Sequence, residues 1–383
     1  MQQVRKSAWQ GLVAAAALLA LGGTAHAAQP PAGTTRGFVI GWFDVALYFD
    51  KDGKDCPKGQ NPGPEIYYRR ELSRIGYTQA QIDAYMKTFL DLSKYAQNAP
   101  VVQMRGRLDG KPADVYANPW SVPDPHIYVV EGKNGYGFDL DGQDKPRDFV
   151  DPATGEKGID NQLYRVIGCL SELKPHSPGE HAPLTQSYRN VVIEQMPALL
   201  LEITGIDDAK NDDSVTVSFY RATQPLTLES GSVPLPGMTY RIDDNPRWRG
   251  TAKGRIKDGV LTTDPFDLTM ASDPFLQQEY EFHQARLRAT LDDKGNLKAV
   301  LGGYMPWWPF YFKYGSGTWG VEATNNVDLP GLYYALKREA DADPDPKTGQ
   351  NRMISTGYDI DAVPAFIIHP EAPRQSASAE GKR

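Results

Sequence analysis

Two short polar turns constrain this chain most: Asp258-Gly259, and Asp292-Asp293-Lys294-Gly295, each between arms rich in β-prone residues. Asp and Gly tolerate the left-handed backbone that a tight antiparallel turn needs, so each turn predicts a hairpin. The arms are residues 254–263 in one case, and 280–291 with 296–304 in the other. Val215, Val217 and Phe219 alternate with polar residues, and 191–193 and 199–203 are short apolar runs that read as strands. Period-two alternation with polar turns implies an antiparallel sheet with one buried face.

The N-terminal half reads differently. Residues 38–49 suggest one or two strands, and 50–64 a polar turn region. Thr78 with Gln81 three residues later forms a capping-box pattern. Ile82, Tyr85, Met86, Phe89 and Leu92 then recur at helical spacing, which predicts a helix over 78–97, with Pro100 limiting its extension. Residues 101–187 carry many prolines and predict loops, with a short helix over 161–173 that holds Cys169. A second short helix is expected over 332–340. The expected fold is therefore β-rich α+β. A loop-rich region spans 28–187 with one clear helix, an antiparallel sheet or sandwich spans 188–370, and a disordered tail covers 371–383.

Residues 1–27 read as a cleaved signal peptide. Arg5 and Lys6 precede an apolar run over 11–23, and Ala25-His26-Ala27 places small residues before a cleavage point at Ala28. The run is short for a bilayer and no second long apolar segment follows, so no membrane span is expected after cleavage. These features place the mature chain in the periplasm or outside the cell. The formal net charge of −7 becomes more negative once Arg5 and Lys6 leave, which argues against nucleic acid as a partner. In an oxidising compartment the two cysteines, Cys56 and Cys169, are expected to pair. No CxxC motif supports redox chemistry.

The strongest site signal is acidic. Phe138-Asp139-Leu140-Asp141-Gly142-Gln143-Asp144 alternates carboxylates around a glycine, and Asp148, Asp151, Glu156 and Asp160 follow. Hard oxygen ligands on a turning loop suit calcium. Counting twelve positions from Asp139 reaches Val150 rather than Glu, so this is no EF-hand. A working site would need Asp139, Asp141 and Asp144 to recruit Asp148, Asp151 or Asp160. The run Asp341-Ala-Asp343-Pro-Asp345 alternates too, but it is stiffened by proline and lacks the central glycine.

Other chemistries leave weaker traces. His126, His176, His181, His283 and His369 are scattered and do not predict zinc. No G-x-S-x-G, S-x-x-K or H-E-x-x-H motif is present. An aromatic run from Tyr304 to Tyr314 contains Trp307, Trp308 and Tyr311 and is the expected ligand-contact surface, since rings offer area and stacking faces. Its prolines make it a poor central strand. The sequence thus suggests an exported binding or structural protein with a structural calcium site, taking an unidentified small-molecule or envelope ligand. The alternative is a secreted or periplasmic hydrolase using paired carboxylates as acid and base.

Overall fold

Arg249–Lys257 alternates without a break: Arg249, Thr251, Lys253, Arg255 and Lys257 point to water, while Gly250, Ala252, Gly254 and Ile256 point inward. This strand is one stave of a closed antiparallel barrel. The computed structural model describes residues 33–89, 91–271 and 279–370. The signal-peptide reading and the tail expected over 371–383 fall outside those residues.

Eight strands close the barrel: β1 (Thr34–Val45), β2 (Pro197–Ile206), β3 (Asp212–Pro225), β4 (Arg249–Lys257), β5 (Val260–Thr263), β6 (Glu279–Leu291), β7 (Leu297–Pro306) and β8 (Asn351–Ile368). Each pairs antiparallel with the next in the chain, and β8 returns to β1 in a register running from Phe38 opposite Pro364 to Val45 opposite Tyr358. Three further strands, Met238–Arg241, Phe266–Ala271 and Ala342–Pro344, extend the sheet. The expected sheet or sandwich with one clear helix is therefore overturned: the protein is mostly β, a closed barrel with eight helices among the described residues. β1 is what closes it. A strand is expected over 38–49, but as part of the N-terminal region and not of the C-terminal sheet; by joining that sheet it removes both sheet edges.

Both hairpins form as expected, with Val260 opposite Lys257 across Asp258-Gly259 and Leu291 opposite Leu297 across the second turn. Phe38 and Ile40, Leu201 and Ile203, Val217 and Phe219, Leu287, Leu301, Tyr358 and Ile360 are among the barrel side chains of one buried core. An eight-stranded barrel is just wide enough for side chains to fill it. An apolar interior with charged outer positions on β4 is the reverse of a lipid-facing barrel. No helix among the described residues is long and apolar enough to cross a membrane.

A long excursion between β1 and β2 holds α1 (Pro64–Arg74), α2 (Gln79–Met86), α3 (Tyr95–Gln103), α4 (Gln162–Ile167) and α5 (Pro183–Val192). A shorter one between β7 and β8 holds α6 (Trp307–Gly315), α7 (Thr318–Asn325) and α8 (Leu329–Glu339). Both excursions meet on β8, which contacts α4, α6 and α8. The single helix expected over 78–97 is two. The Thr78 capping box is present, but α2 ends at Met86 and the chain folds back, with the Asn98 amide donating to the Thr88 carbonyl and the Tyr85 hydroxyl to the Asn98 carbonyl (2.9 Å). α3 then runs through Pro100, whose missing N–H removes only one helical bond. Residues 191–193, read as a strand, end α5 instead, because Pro183 starts a helix there.

Cys56 and Cys169 form the expected disulfide, with Cα atoms 5.8 Å apart. It packs in a small core with Val130, Phe149, Ile159 and Tyr164, directly within the loop-rich excursion.

Candidate functional site

The acidic loop is a folded unit tied to itself and to the barrel wall. Phe138 bridges Asp160 and Phe149 bridges Ile159, which folds 138–141 back against 158–160. Phe138 lies over Gly302 of β7, where a Cβ would sit 2.5 Å from the ring. Gly158 is equally crowded: a Cβ there would lie 2.6 Å from the Gln143 carbonyl. Two outward arginines of β6 clamp the loop from below. Arg286 donates to the Asp139 and Leu140 carbonyls, and Arg288 pairs with the buried Asp151 and with Glu156.

Within this unit Asp139, Asp141 and Asp160 each place an oxygen within 4.8 Å of the others. Asp160 is buried and accepts the Leu140 N–H at 2.8 Å and the Asp141 N–H at 3.3 Å. Asp139 accepts the Gly142 N–H, and Asp141 accepts the Gln143 N–H at 2.9 Å. The Lys145 ammonium pairs with Asp141. Burial pushes the Asp160 carboxyl up to about 7, and the charges of Asp141, Asp148 and Asp341 add to the shift.

The other acidic candidates divide. Asp148 is near enough for its charge to bear on Asp160, but its Oδ2 accepts the Lys145 N–H. Asp151 caps the turn at Ala153 and pairs with Arg288, and Asp144 is exposed outside the triad. Asp341 comes from the second acidic run. It accepts the Ser355 N–H and hydroxyl at 2.7 and 2.6 Å, and burial raises it to about 6. Its approach to Asp160 had no signal in spacing, since almost two hundred residues separate them.

The aromatic run forms α6 and packs against α8. Trp307 is buried, donates its indole N–H to the Asn351 carbonyl at 3.0 Å and meets the Tyr333 ring. Tyr311 is buried against the same ring, whereas Trp308 is 40% exposed. Of the three expected ligand contacts, Trp308 alone faces solvent. Four histidines take different carboxylate neighbours: His126 with Asp124, His181 with Asp361, His283 with Glu281 and His369 with Glu202.

No protein family, no characterised protein and no solved structure matches this chain.

A recess that leaves no local pattern in the sequence lies between β1, α5 and α6. Its volume is about 120 Å³, and Trp42, Phe43, Ile193, Leu199 and Leu226 give it apolar walls, with Asp44, Arg189 and Lys313 at its polar end. Lys313 donates to the Tyr280 hydroxyl at 3.2 Å, and burial raises the Asp44 carboxyl while Lys313 opposes the rise. This space admits a small apolar group rather than a whole cofactor.

Proposed function

We propose that this chain is an exported binding or structural protein whose excursion over 46–196 is braced by the disulfide and by one structural divalent cation. The carrying observation is the convergence of Asp139, Asp141 and Asp160 to within 4.8 Å. Three carboxylates, one of them buried and pushed up to about 7, form a site whose negative charge a cation relieves. All-oxygen donors favour calcium, with water completing the six to eight ligands it takes. The Cys56–Cys169 disulfide supports an oxidising compartment, where calcium is plentiful.

The cation acts on stability. It displaces Lys145 from Asp141, bridges the two arms of the folded-back loop and so holds that loop on β6 and β7. Thermal denaturation in a chelator and in calcium tests this reading. Calcium raises the melting temperature, magnesium does so poorly, and Asp141→Ala abolishes the difference. An unchanged melting temperature across chelator and calcium defeats the proposal.

A further inference from the structure

A cleft of about 450 Å³ brings Lys133, Arg147, Arg165 and Arg338 together with Glu131 and Glu339. Its volume is that of a small-molecule site. Four cations face two carboxylates there, in a chain whose net charge is −7.

How those cations are partnered decides what the cleft takes. Arg165 is only 4% exposed. Its Nε donates to the Gln162 amide oxygen at 2.7 Å, Nη1 to the Val130 carbonyl at 2.7 Å and Nη2 to the Arg147 carbonyl. The Phe149 ring lies 4.2 Å beneath the guanidinium. All of these partners are neutral. Lys133 likewise donates to a carbonyl, that of Pro146 at 3.0 Å. Neither residue forms an ion pair among the described residues; for the exposed Lys133 that is ordinary, but the buried charge of Arg165 would normally be paired. The nearby carboxylates each hydrogen-bond another group: Glu131 with Lys58 at 2.7 Å, Glu339 with Arg147 at 2.7 Å and Asp148 with the Lys145 N–H. The charges of Glu339 and Asp148 therefore reach Arg165 only through space, and Arg338 pairs with Asp124 at 2.7 Å. A guanidinium has five N–H donors, and Arg165 uses three on the protein.

We propose that this cleft binds the oxyanion group of a small organic molecule, a carboxylate or a phosphate, over Arg165 and Lys133. Arg147 and Arg338 stand at its sides, and Val129, Val130 and Pro146 receive the carbon skeleton. A planar guanidinium fits either oxyanion through two parallel hydrogen bonds. Four cations gathered in one cleft of this volume suit a small ligand rather than a nucleic-acid backbone, which needs an extended basic track. This inference stands independently of the cation proposed at Asp139, Asp141 and Asp160.

Isothermal titration calorimetry of the mature chain at low ionic strength, with inorganic phosphate and with succinate as probes, tests it. Saturable one-to-one binding of either probe is expected, and the stronger of the two identifies the group. Lys133→Gln changes an exposed side chain whose one bond is to the Pro146 carbonyl. That variant should keep its melting temperature and bind about tenfold more weakly, the loss of one charge-assisted contact. Arg165→Gln should lose binding altogether; if it does not fold, Lys133→Gln decides. Absence of heat with both probes, or undiminished binding in Lys133→Gln, overturns the proposal.

Discussion

Arg105 and Glu322, 217 residues apart in the chain, meet at 2.9 Å with neither side chain exposed. Arg105 follows α3 in the first excursion and Glu322 sits on α7 in the second, so the pair joins the two helical segments that flank β8. Glu322 also accepts the Tyr68 hydroxyl at 2.5 Å, the Tyr116 hydroxyl at 2.7 Å and the Leu329 N–H at 2.9 Å. Every lone pair of that carboxylate is used. Burial and the Glu322 charge together hold the Tyr68 and Tyr116 phenols well above their usual range.

Removing one partner of this network is expected to be severe. Glu322→Ala leaves the buried Arg105 guanidinium with only Asp328, 3.7 Å away, as a counter-charge and strands the Tyr68 hydroxyl and the Leu329 N–H, and should cost about 3–5 kcal/mol. Glu322→Gln keeps oxygen acceptors and should cost less. Urea denaturation of both variants checks the order, and equal losses would show that charge contributes nothing beyond hydrogen bonding.

The disulfide offers a second measurement. On the chain-entropy view, tying residues 113 apart stabilises by about 4–5 kcal/mol. Both cysteines are buried, so reduction under native conditions should be slow and should accelerate steeply once denaturant opens the small core around Phe149 and Ile159. Thiol labelling against time in reductant, with and without urea, reads this directly. Rapid labelling without urea would count against that protected core.

These stabilising features were unequally legible in the sequence. Asp258-Gly259 and the turn at Asp292 were readable because a hairpin is decided by neighbours in the chain. Barrel closure was not, because Val45 and Tyr358 pair across more than three hundred residues and no local pattern records that contact. Asp139 and Asp141 were readable by their alternation, and Asp160 only as a nearby candidate, since the bridge to Phe138 brings it in. Arg286 and Arg288 were missed as partners of the loop. They are alternate residues of β6 and so share its outer face, but sequence does not say what covers that face.

The aromatic helix separates packing from surface within two adjacent residues. Trp307 is buried against Tyr333 and hydrogen-bonded to Asn351, so Trp307→Ala should cost about 3–5 kcal/mol. Trp308 is 40% exposed and should cost about 1 kcal/mol or less when truncated. Denaturation midpoints of the two variants make the comparison. Similar losses would mean that Trp308 is packed as firmly as its neighbour.

Asp359 of β8 stands opposite Asp44 of β1 in the register that closes the barrel. Burial pushes its carboxyl up to about 7, the charges of Asp361 and Asp44 add to this, and Lys298 opposes it. The folded protein therefore holds this proton more tightly than the unfolded chain, where the group titrates near 3.8. Its contribution to stability is complete below that value and is lost as pH rises through about 7. Asp359→Asn removes the ionisation but keeps the shape. The variant should therefore melt higher than the wild type at about pH 8 and nearly alongside it at about pH 4, where both side chains are neutral. Melting curves across that interval supply the test. A difference that does not change with pH would assign the effect to packing at the seam instead of to the charge.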